Sequence, residues 1–209
     1  MRQIAEEEFL SGKHDAEIRD LLAAGGIVVF PSENSYGFAG NALDHKVAKR
    51  IHDAKKEPHD KPLGLITDSV SKVEAFLEIG WKGRMLLEAR LSGPLTVLFR
   101  EKKGAIARIP CSTNGLVGVR IPQKKSLVHL CSLVAFPLTA PSANIHGKPA
   151  IYDSEEVKRA FGKEDFVLID AGKLDEAQMP STYYNLEEGK VLRQGKVTLE
   201  EIGRVFGKS

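Results

Sequence analysis

Three loops rich in hydroxyl and amide groups follow predicted strands, with the sequences FPSENSYG, LTAPSANIHG and MPSTYYN. In each loop a proline directly precedes a serine, at Ser32, Ser142 and Ser181. Proline restricts the direction in which the chain leaves a strand, so the serine after it is held in a defined place. Serine hydroxyls, asparagine amides and backbone N–H groups can together hold phosphate or carboxylate oxygens. One such loop is typical of an ordinary turn, but three favour a shared pocket for an anionic ligand.

Cationic side chains are the second ingredient of this chemistry. Lys55, Lys56 and Lys61 lie in DAKKEPHDKPLGLI, Arg120 lies in the apolar strand VGVRIP, and Arg193 follows an apolar pair in VLRQG. We expect Lys56 and Lys61 to lie on a solvated face, as lysines in loops usually do. Arg120 lies among apolar residues of a predicted strand, so it needs an anionic partner or a polar cleft. A bound phosphate, a bound carboxylate or an internal Asp or Glu would each serve.

Helices and strands alternate irregularly along the chain, and they must position these residues. Asp44, Ser154 and Thr198 are predicted to cap helices. Several strands lie close together in sequence, which predicts one α/β domain over residues 1–209 on a mixed sheet, not a doubly wound parallel one. The predicted helices cover 15–24, 45–55, 71–77, 81–90, 126–133, 154–161 and 199–206. The predicted strands cover 27–30, 62–67, 95–99, 116–121, 136–140, 166–169, 182–185 and 190–192.

Several other chemistries lack their sequence motifs. The chain has no Walker A loop, GxGxxG, GxSxG, CxxC or HExxH, so we predict no resident metal and no covalent nucleophile. Cys111 and Cys131 are expected to be free thiols, with Cys131 packed in an apolar segment. His45, His52 and His59 recur every seven residues. An intervening proline should end the helix before His59, so we expect all three on the surface.

Bulk properties exclude some classes of protein. The net charge of the 209 residues is +2, which is too small to indicate a nucleic-acid binder. No apolar run approaches the roughly 18 residues of a membrane span, and the N-terminus lacks a secretory signal. We therefore expect a cytoplasmic protein with no membrane contact. An RNA-binding module remains an alternative, which predicts salt-dependent RNA affinity without ATP.

The longer motifs resemble those of one family. FPSENSYGFAGNAL, KKEPHDKPLGLIT, SGPLTVLF, VGVRIP, PLTAPSANIHGKP, PSTYYNL and VLRQG occur in the order and spacing of the YrdC/Sua5 family, from about Gly25 to Gly195. The resemblance implies a YrdC-like twisted mixed sheet with flanking helices around a concave, cationic cavity. It also implies L-threonylcarbamoyladenylate synthase activity. Such enzymes combine L-threonine, bicarbonate and Mg²⁺-bound ATP, release pyrophosphate, and pass the threonylcarbamoyl group to machinery that modifies adenosine 37 of tRNA.

The resemblance also implies roles for individual residues. Lys55 matches the lysine of the KxR motif and is the expected catalytic residue. Tyr36 and Gly37 match the pair that closes the first loop. The expected ATP-binding residues are Lys55, Ser142, Asn144 and Arg193. The expected threonine-binding residues are Ser32, Asn34, Arg120 and Ser181.

Four positions depart from the family pattern. Ser32 and Asn34 replace the two threonines of PTDTVYG, Glu57 replaces the arginine of KxR, and Ile66 replaces the histidine of PLIVH. A carboxylate at Glu57 would repel phosphate unless a neighbouring lysine swings in or the carboxylate turns away. These changes separate two hypotheses, a synthase and a YciO-like paralogue that binds a nucleotide but makes a different acyl adenylate or has only weak synthase activity.

Overall fold

The computed structural model describes residues 1–33, 35–89, 91–102, 112–113, 115–177 and 179–207. The predictions that concern Asn34 and Cys111 lie outside the described residues. None of the helices in these ranges is long and apolar enough to span a bilayer.

Helices and strands alternate as predicted. The helices in the described part of the chain are α1 (Glu6–Leu10), α2 (Asp15–Ala23), α3 (His45–Lys55), α4 (Ser71–Glu74), α5 (Gly80–Glu88), α6 (Lys125–Ser132), α7 (Ser154–Phe161) and α8 (Leu199–Val205). The strands are β1 (Arg2–Ala5), β2 (Val28–Pro31), β3 (Tyr36–Ala39), β4 (Leu65–Ile66), β5 (Leu77–Glu78), β6 (Leu95–Glu101), β7 (Ser112–Thr113), β8 (Leu116–Arg120), β9 (Leu138–Thr139), β10 (Val167–Asp170), β11 (Thr182–Asn185) and β12 (Lys190–Arg193).

These strands form two mixed sheets. The smaller sheet has the order β1-β10-β2-β3, and the larger has the order β12-β11-β6-β8-β4-β9, with β5 paired to β6 and β7 paired to β8. Each sheet contains parallel and antiparallel pairs. Isolated bridges from Gly37 to Ser142 and from Asn41 to Leu138 join the two sheets. The predicted mixed α/β class is confirmed, whereas the division into two sheets was not predicted.

Helix α7 packs against one face of the smaller sheet. Phe38 of β3 makes edge-to-face contacts with Phe161 and Phe166, at centroid distances of 5.0 and 5.6 Å. All four residues of β2 are buried, because helices or loops cover both faces of the sheet. A strand buried on both faces reads as a continuous apolar run, which is why β2 was visible in the sequence.

Two of the three predicted caps are confirmed. The Asp44 side chain accepts from the backbone N–H of Lys46, and the Thr198 hydroxyl accepts from that of Glu201. The prediction for Ser154 is wrong. Asp153 has the extended backbone of a capping residue and accepts from the N–H of Glu155, so Ser154 is the first residue inside α7.

The strand β3 was missed in the sequence, although it sets the geometry of the first polar loop. Tyr36 to Ala39 pair antiparallel with β2, so PSENSYG is the tip of a hairpin. The backbone of β3 also bonds the loop that carries Ser142, Ala143 and Asn144, which we call the SAN loop. The N–H of Phe38 donates to the carbonyl of Pro141 at the start of this loop. Hydrogen-bond partners on both sides make this segment a strand, in spite of its weak local pattern. Its neighbours, not its own residue types, determine its conformation.

Candidate functional site

A cavity of about 410 Å³ opens where the loops of the two sheets meet. The three Pro-Ser loops all contribute to it, as the shared-pocket prediction required. The predicted site residues that line it are Ser32, Lys55, Arg120, Ser142, Ser181 and Arg193. Asn144 lies just behind the wall and bonds Lys55. The binding roles of these residues stay predictions.

Lys55 is the buried cation of the cavity. It is the last residue of α3, which ends there because Lys56 adopts a left-handed backbone with φ of 54°. Lys55 is only 3% exposed. Its ammonium group donates to the carbonyls of Ser142 and Asn144, at 2.5 and 3.0 Å, and lies 3.3 Å from Asn144 Oδ1. Burial lowers the pKa of Lys55 to about 8, so the side chain is still mostly charged at neutral pH.

The SAN loop that receives Lys55 is itself tightly bonded. The Ser142 hydroxyl donates to Asn144 Oδ1 at 2.5 Å, and the Asn144 amide donates to the carbonyl of Lys148. Gly37 of β3 lies against this loop, where an added Cβ would sit 2.8 Å from the Phe30 ring and 3.1 Å from the carbonyl of Pro141. Only glycine fits that approach. The YG pair of the first loop therefore allows the second loop to close on Lys55.

The Glu57 carboxylate is in contact with basic side chains. Its carboxylate is 1% exposed, with Oε1 3.1 Å from His52 Nδ1 and Oε2 2.8 Å from the Lys61 ammonium group. His146 Nδ1 lies 3.9 Å from the same carboxylate. Of the alternatives left open by the sequence, a lysine that swings in is the one realised, and that lysine is Lys61. Its charge offsets that of the carboxylate at the cavity wall.

One expectation about this region is wrong and another is incomplete. His52 was expected on the surface, but it is fully buried on the inner face of α3, and burial lowers its pKa. A proline indicates where a helix ends but not which face of the helix is buried. Lys61 was expected on a solvated face, and it is exposed. Its side chain is 46% exposed, but it pairs with Glu57 and lines the cavity.

Arg120 forms an ion pair with Glu33, a partner that the sequence did not identify. Its Nη1 lies 3.1 Å from Oε2 of Glu33 in the first polar loop. The other carboxylate oxygen of Glu33 accepts from the backbone N–H groups of Gln123 and Lys124. Burial opposes ionisation of Glu33, but Arg120 and these N–H groups outweigh it and lower its pKa. An arginine among the apolar residues of a strand was the signal in the sequence that an anionic partner was needed.

Arg193 is exposed but firmly held. Its Nε and Nη2 donate to the Ser181 carbonyl at 3.1 and 2.8 Å, and Nη2 also donates to the Ser181 hydroxyl at 2.9 Å. The guanidinium group lies 4.3 Å from the centre of the Tyr183 ring, a cation–π distance. Gly195 lets the chain turn here, because a Cβ would lie 2.1 Å from the Pro180 carbonyl.

Other reactive-looking groups in this part of the fold are structural. The Tyr36 hydroxyl donates to the Gly172 carbonyl and accepts from the Ala171 N–H, and burial raises its pKa to about 12. Cys131 packs in the core as expected, and burial raises the pKa of its thiol to about 12. Ile66 is also a core residue. Among the described residues, no group of three or more His, Cys, Asp or Glu side chains could hold a metal ion.

The arrangement suits an anionic ligand with several oxygens. Four cations line the cavity at Lys55, Lys61, Arg120 and Arg193, together with the Glu57 carboxylate. The three hydrogen bonds that the Lys55 ammonium group makes to Ser142 and Asn144 match its three N–H groups. A ligand oxygen must therefore displace the longest of these bonds or interact with the charge without a direct bond. The serine hydroxyls and fixed guanidinium groups supply preorganised donors for charge that develops during a reaction.

Known proteins share both the sequence and this fold. A family model for Sua5, YciO and YrdC proteins, described as "Telomere recombination", matches residues 20–195. The threonylcarbamoyl-AMP synthase of Pyrococcus abyssi is 35% identical over 190 residues, which are 90% of this chain and 55% of that protein. The crystal structure of P. abyssi Sua5 complexed with L-threonine matches with a TM-score of 0.80 and 32% identity, over 99% of this chain and 61% of that one. E. coli YciO shares the fold, with a TM-score of 0.76 at 18% identity over 96% of this chain and 98% of its own.

The chain spans little more than half the length of the curated P. abyssi relative. The activity of that longer protein is therefore a proposal for this chain.

Affinity for a polyanion is expected to fall as pH rises through about 8, because the Lys55 cation is lost there. Titration of sodium tripolyphosphate between pH 7 and 9.5 should show a loss of about tenfold or more. A lysine with the ordinary pKa of 10.5 would hold the affinity until well above pH 9.5. Lys55→Met should bind weakly at every pH, whereas Lys56→Gln should keep the wild-type profile. A Lys55→Met protein with the wild-type pH dependence would contradict the assignment.

Replacing Glu33 with glutamine should destabilise the fold, because Arg120 would keep its burial and lose its counter-charge. We expect Glu33→Gln to lower the free energy of unfolding by about 2 kcal/mol, less than for a fully buried pair. Urea denaturation measures this change. The matched control is Glu187→Gln, whose partner Arg100 forms an exposed pair, and which should cost less than about 0.5 kcal/mol. Equal effects of the two substitutions would show that Glu33 does not hold Arg120.

Proposed function

The chain belongs to the Sua5/YciO/YrdC family, and from this premise we propose that it is an L-threonylcarbamoyladenylate synthase. One observation supports this proposal above the others. The fold brings the buried Lys55 and the fixed Arg193 to the same cavity as Arg120 and the serines of three separate loops. A reaction between two anionic substrates needs such a concentration of placed cations and donors.

Each half of the cavity receives one substrate in this proposal. The triphosphate of ATP binds at Lys55, Ser142, Asn144 and Arg193. L-Threonine binds at Ser32, Asn34, Arg120 and Ser181.

Bicarbonate carboxylates the threonine amine in the proposed reaction: the C–N bond forms, a C–O bond of bicarbonate breaks, and water leaves. An oxygen of the resulting carbamate then attacks the α-phosphate of ATP, the bond to the β-phosphate breaks, and pyrophosphate leaves. Lys55 acts through its charge, which stabilises the negative charge that builds up on the phosphate oxygens. The Glu57 carboxylate does not oppose this, because Lys61 and His52 hold it and Lys61 offsets its charge.

Further components follow from the same proposal. Mg²⁺ enters as part of the ATP substrate, held by phosphate oxygens and water. The product passes to threonylcarbamoyl-transfer machinery that acts on tRNA. A cytoplasmic location, a single YrdC-like domain over residues 1–209 and direct RNA contact stay predictions.

A YciO-like activity is the second candidate, and the amino-acid half of the cavity favours it. Arg120 is already engaged by Glu33, and Ile66, in place of the family histidine, is buried in the core. A substrate carboxylate at this site would share Arg120 with Glu33. Such a site selects its amino acid differently from a site in which the arginine binds the substrate alone. The alternative therefore changes the acyl group and keeps the nucleotide.

The direct test is pyrophosphate release from ATP and bicarbonate, with and without L-threonine, with mass detection of threonylcarbamoyl-AMP. We expect threonine-dependent product from the wild-type protein. Lys55→Met should reduce turnover by at least a hundredfold, on the scale of losing a preorganised charge, and the exposed neighbour variant Lys56→Gln should change it little.

Two results would redirect the proposal. ATP binding without threonine-dependent product would support the YciO-like alternative and call for a screen of other amino acids. RNA affinity that falls with salt, without any nucleotide binding, would favour the RNA-binding module.

A further inference from the structure

The motif SGPLTVLF supplied no residue to the predicted site, yet one of its side chains reaches the cavity. Thr96 lies in β6, is 5% exposed, and is among the cavity-lining residues. Its hydroxyl donates to Oγ of Ser181 at 3.0 Å. We infer that Thr96 is a positioning residue that orients the hydroxyl proton of Ser181 into the cavity. The inference deepens the proposed function and rests on it for the identity of the ligand.

The hydrogen-bond inventory of Ser181 carries this inference. A serine hydroxyl has one proton to donate and two lone pairs to accept with. Thr96 occupies one lone pair, and Nη2 of Arg193 occupies the other at 2.9 Å. Arginine has no acceptor atom, so the direction of that second bond is fixed. Within the part of the chain that the structure describes, no acceptor takes the Ser181 proton, which is left to point toward the cavity that Ser181 lines.

The pairing of strands explains why Thr96 is in position to do this. β6 runs parallel to β11, with Leu95 opposite Thr182 and Thr96 opposite Tyr183. The N–H of Thr182 donates to the Pro94 carbonyl at 3.0 Å, which anchors the start of β11 beside the start of β6. Ser181, one residue before β11, is thereby brought within bonding distance of the Thr96 hydroxyl. A valine at position 96 would fill the same space without the bond.

This arrangement restricts the chemistry of the ligand. A hydroxyl whose lone pairs are both occupied can only donate, so its partner must be a hydrogen-bond acceptor. Carboxylate, carbamate and phosphoryl oxygens qualify, whereas an ammonium or amide N–H group at this point would face an unfavourable donor. Thr96 thus makes Ser181 a selective donor, although Thr96 itself need not touch the ligand.

The test compares variants by calorimetric titration with two probes, L-threonine and sodium tripolyphosphate. Thr96→Val should weaken binding of at least one probe by about fivefold or more, the scale of one hydrogen bond. The probe that is affected shows whether the oxygen at Ser181 is a carboxylate or a phosphoryl oxygen. Thr96→Ser keeps the hydroxyl and should bind within about twofold of wild type. Thr198→Val removes a hydroxyl that caps α8 and is not among the described cavity-lining residues, and it should leave both affinities unchanged.

A double variant separates positioning from a general loss of packing. If Thr96 acts through Ser181, Ser181→Ala and the double variant Thr96→Val/Ser181→Ala should lose the same affinity, because the bond no longer exists to be removed. Additive losses would overturn the inference. So would wild-type affinity of Thr96→Val for both probes, or a wild-type protein that binds neither probe. Because titration needs no turnover, failure to make threonylcarbamoyl-AMP would count against the proposed function alone.

Discussion

The buried ammonium group of Lys55 is the constraint on which the cavity depends. A charge removed from water is costly unless oxygens replace its hydration, and here carbonyls of the SAN loop do so. That requirement ties the end of α3 to the loop after β9. The backbone N–H of His146 adds a second tie, at 2.7 Å from the Lys55 carbonyl. Two backbone features allow α3, the SAN loop and β3 to come this close. Gly37 has no side chain to clash with the SAN loop, and the left-handed Lys56 ends α3 directly after Lys55.

Two carboxylates limit the excess of positive charge that results. Glu33 pairs with Arg120, and Glu57 pairs with Lys61 and lies beside His52. Both carboxylates hold cations in place at the cavity, at the cost of competing with an incoming anion for them. The carboxylates therefore fix the positions of these cations but also reduce their attraction for a ligand. The strength of this competition depends on the charge and shape of the ligand.

The sequence predicted those parts of the fold that depend on local signals. Asp44 and a left-handed residue after Lys55 bound α3 at the predicted residues, and β11 covers the predicted residues 182–185. The strand β3 and the burial of His52 could not be predicted, because both depend on contacts with other parts of the chain. The same holds for the partner of Arg120. An arginine within an apolar strand indicated that an anionic partner was needed, but the β2–β3 hairpin is what brings Glu33 to it.

The cavity residues were predicted better than their bonds were. Pro-Ser loops mark where donors lie, but whether a given serine donates or accepts depends on its partners across the sheet, as Thr96 and Ser181 show.

The central claim is that one cavity organised by Lys55 holds both substrates, and a crystal structure with L-threonine and a non-hydrolysable ATP analogue tests it most directly. Phosphate oxygens beside Lys55 and Ser142, with the threonine carboxylate near Arg120 or Ser181, are the predicted result. A triphosphate bound outside this cavity, or one that leaves Lys55 remote from every phosphate, would contradict the account.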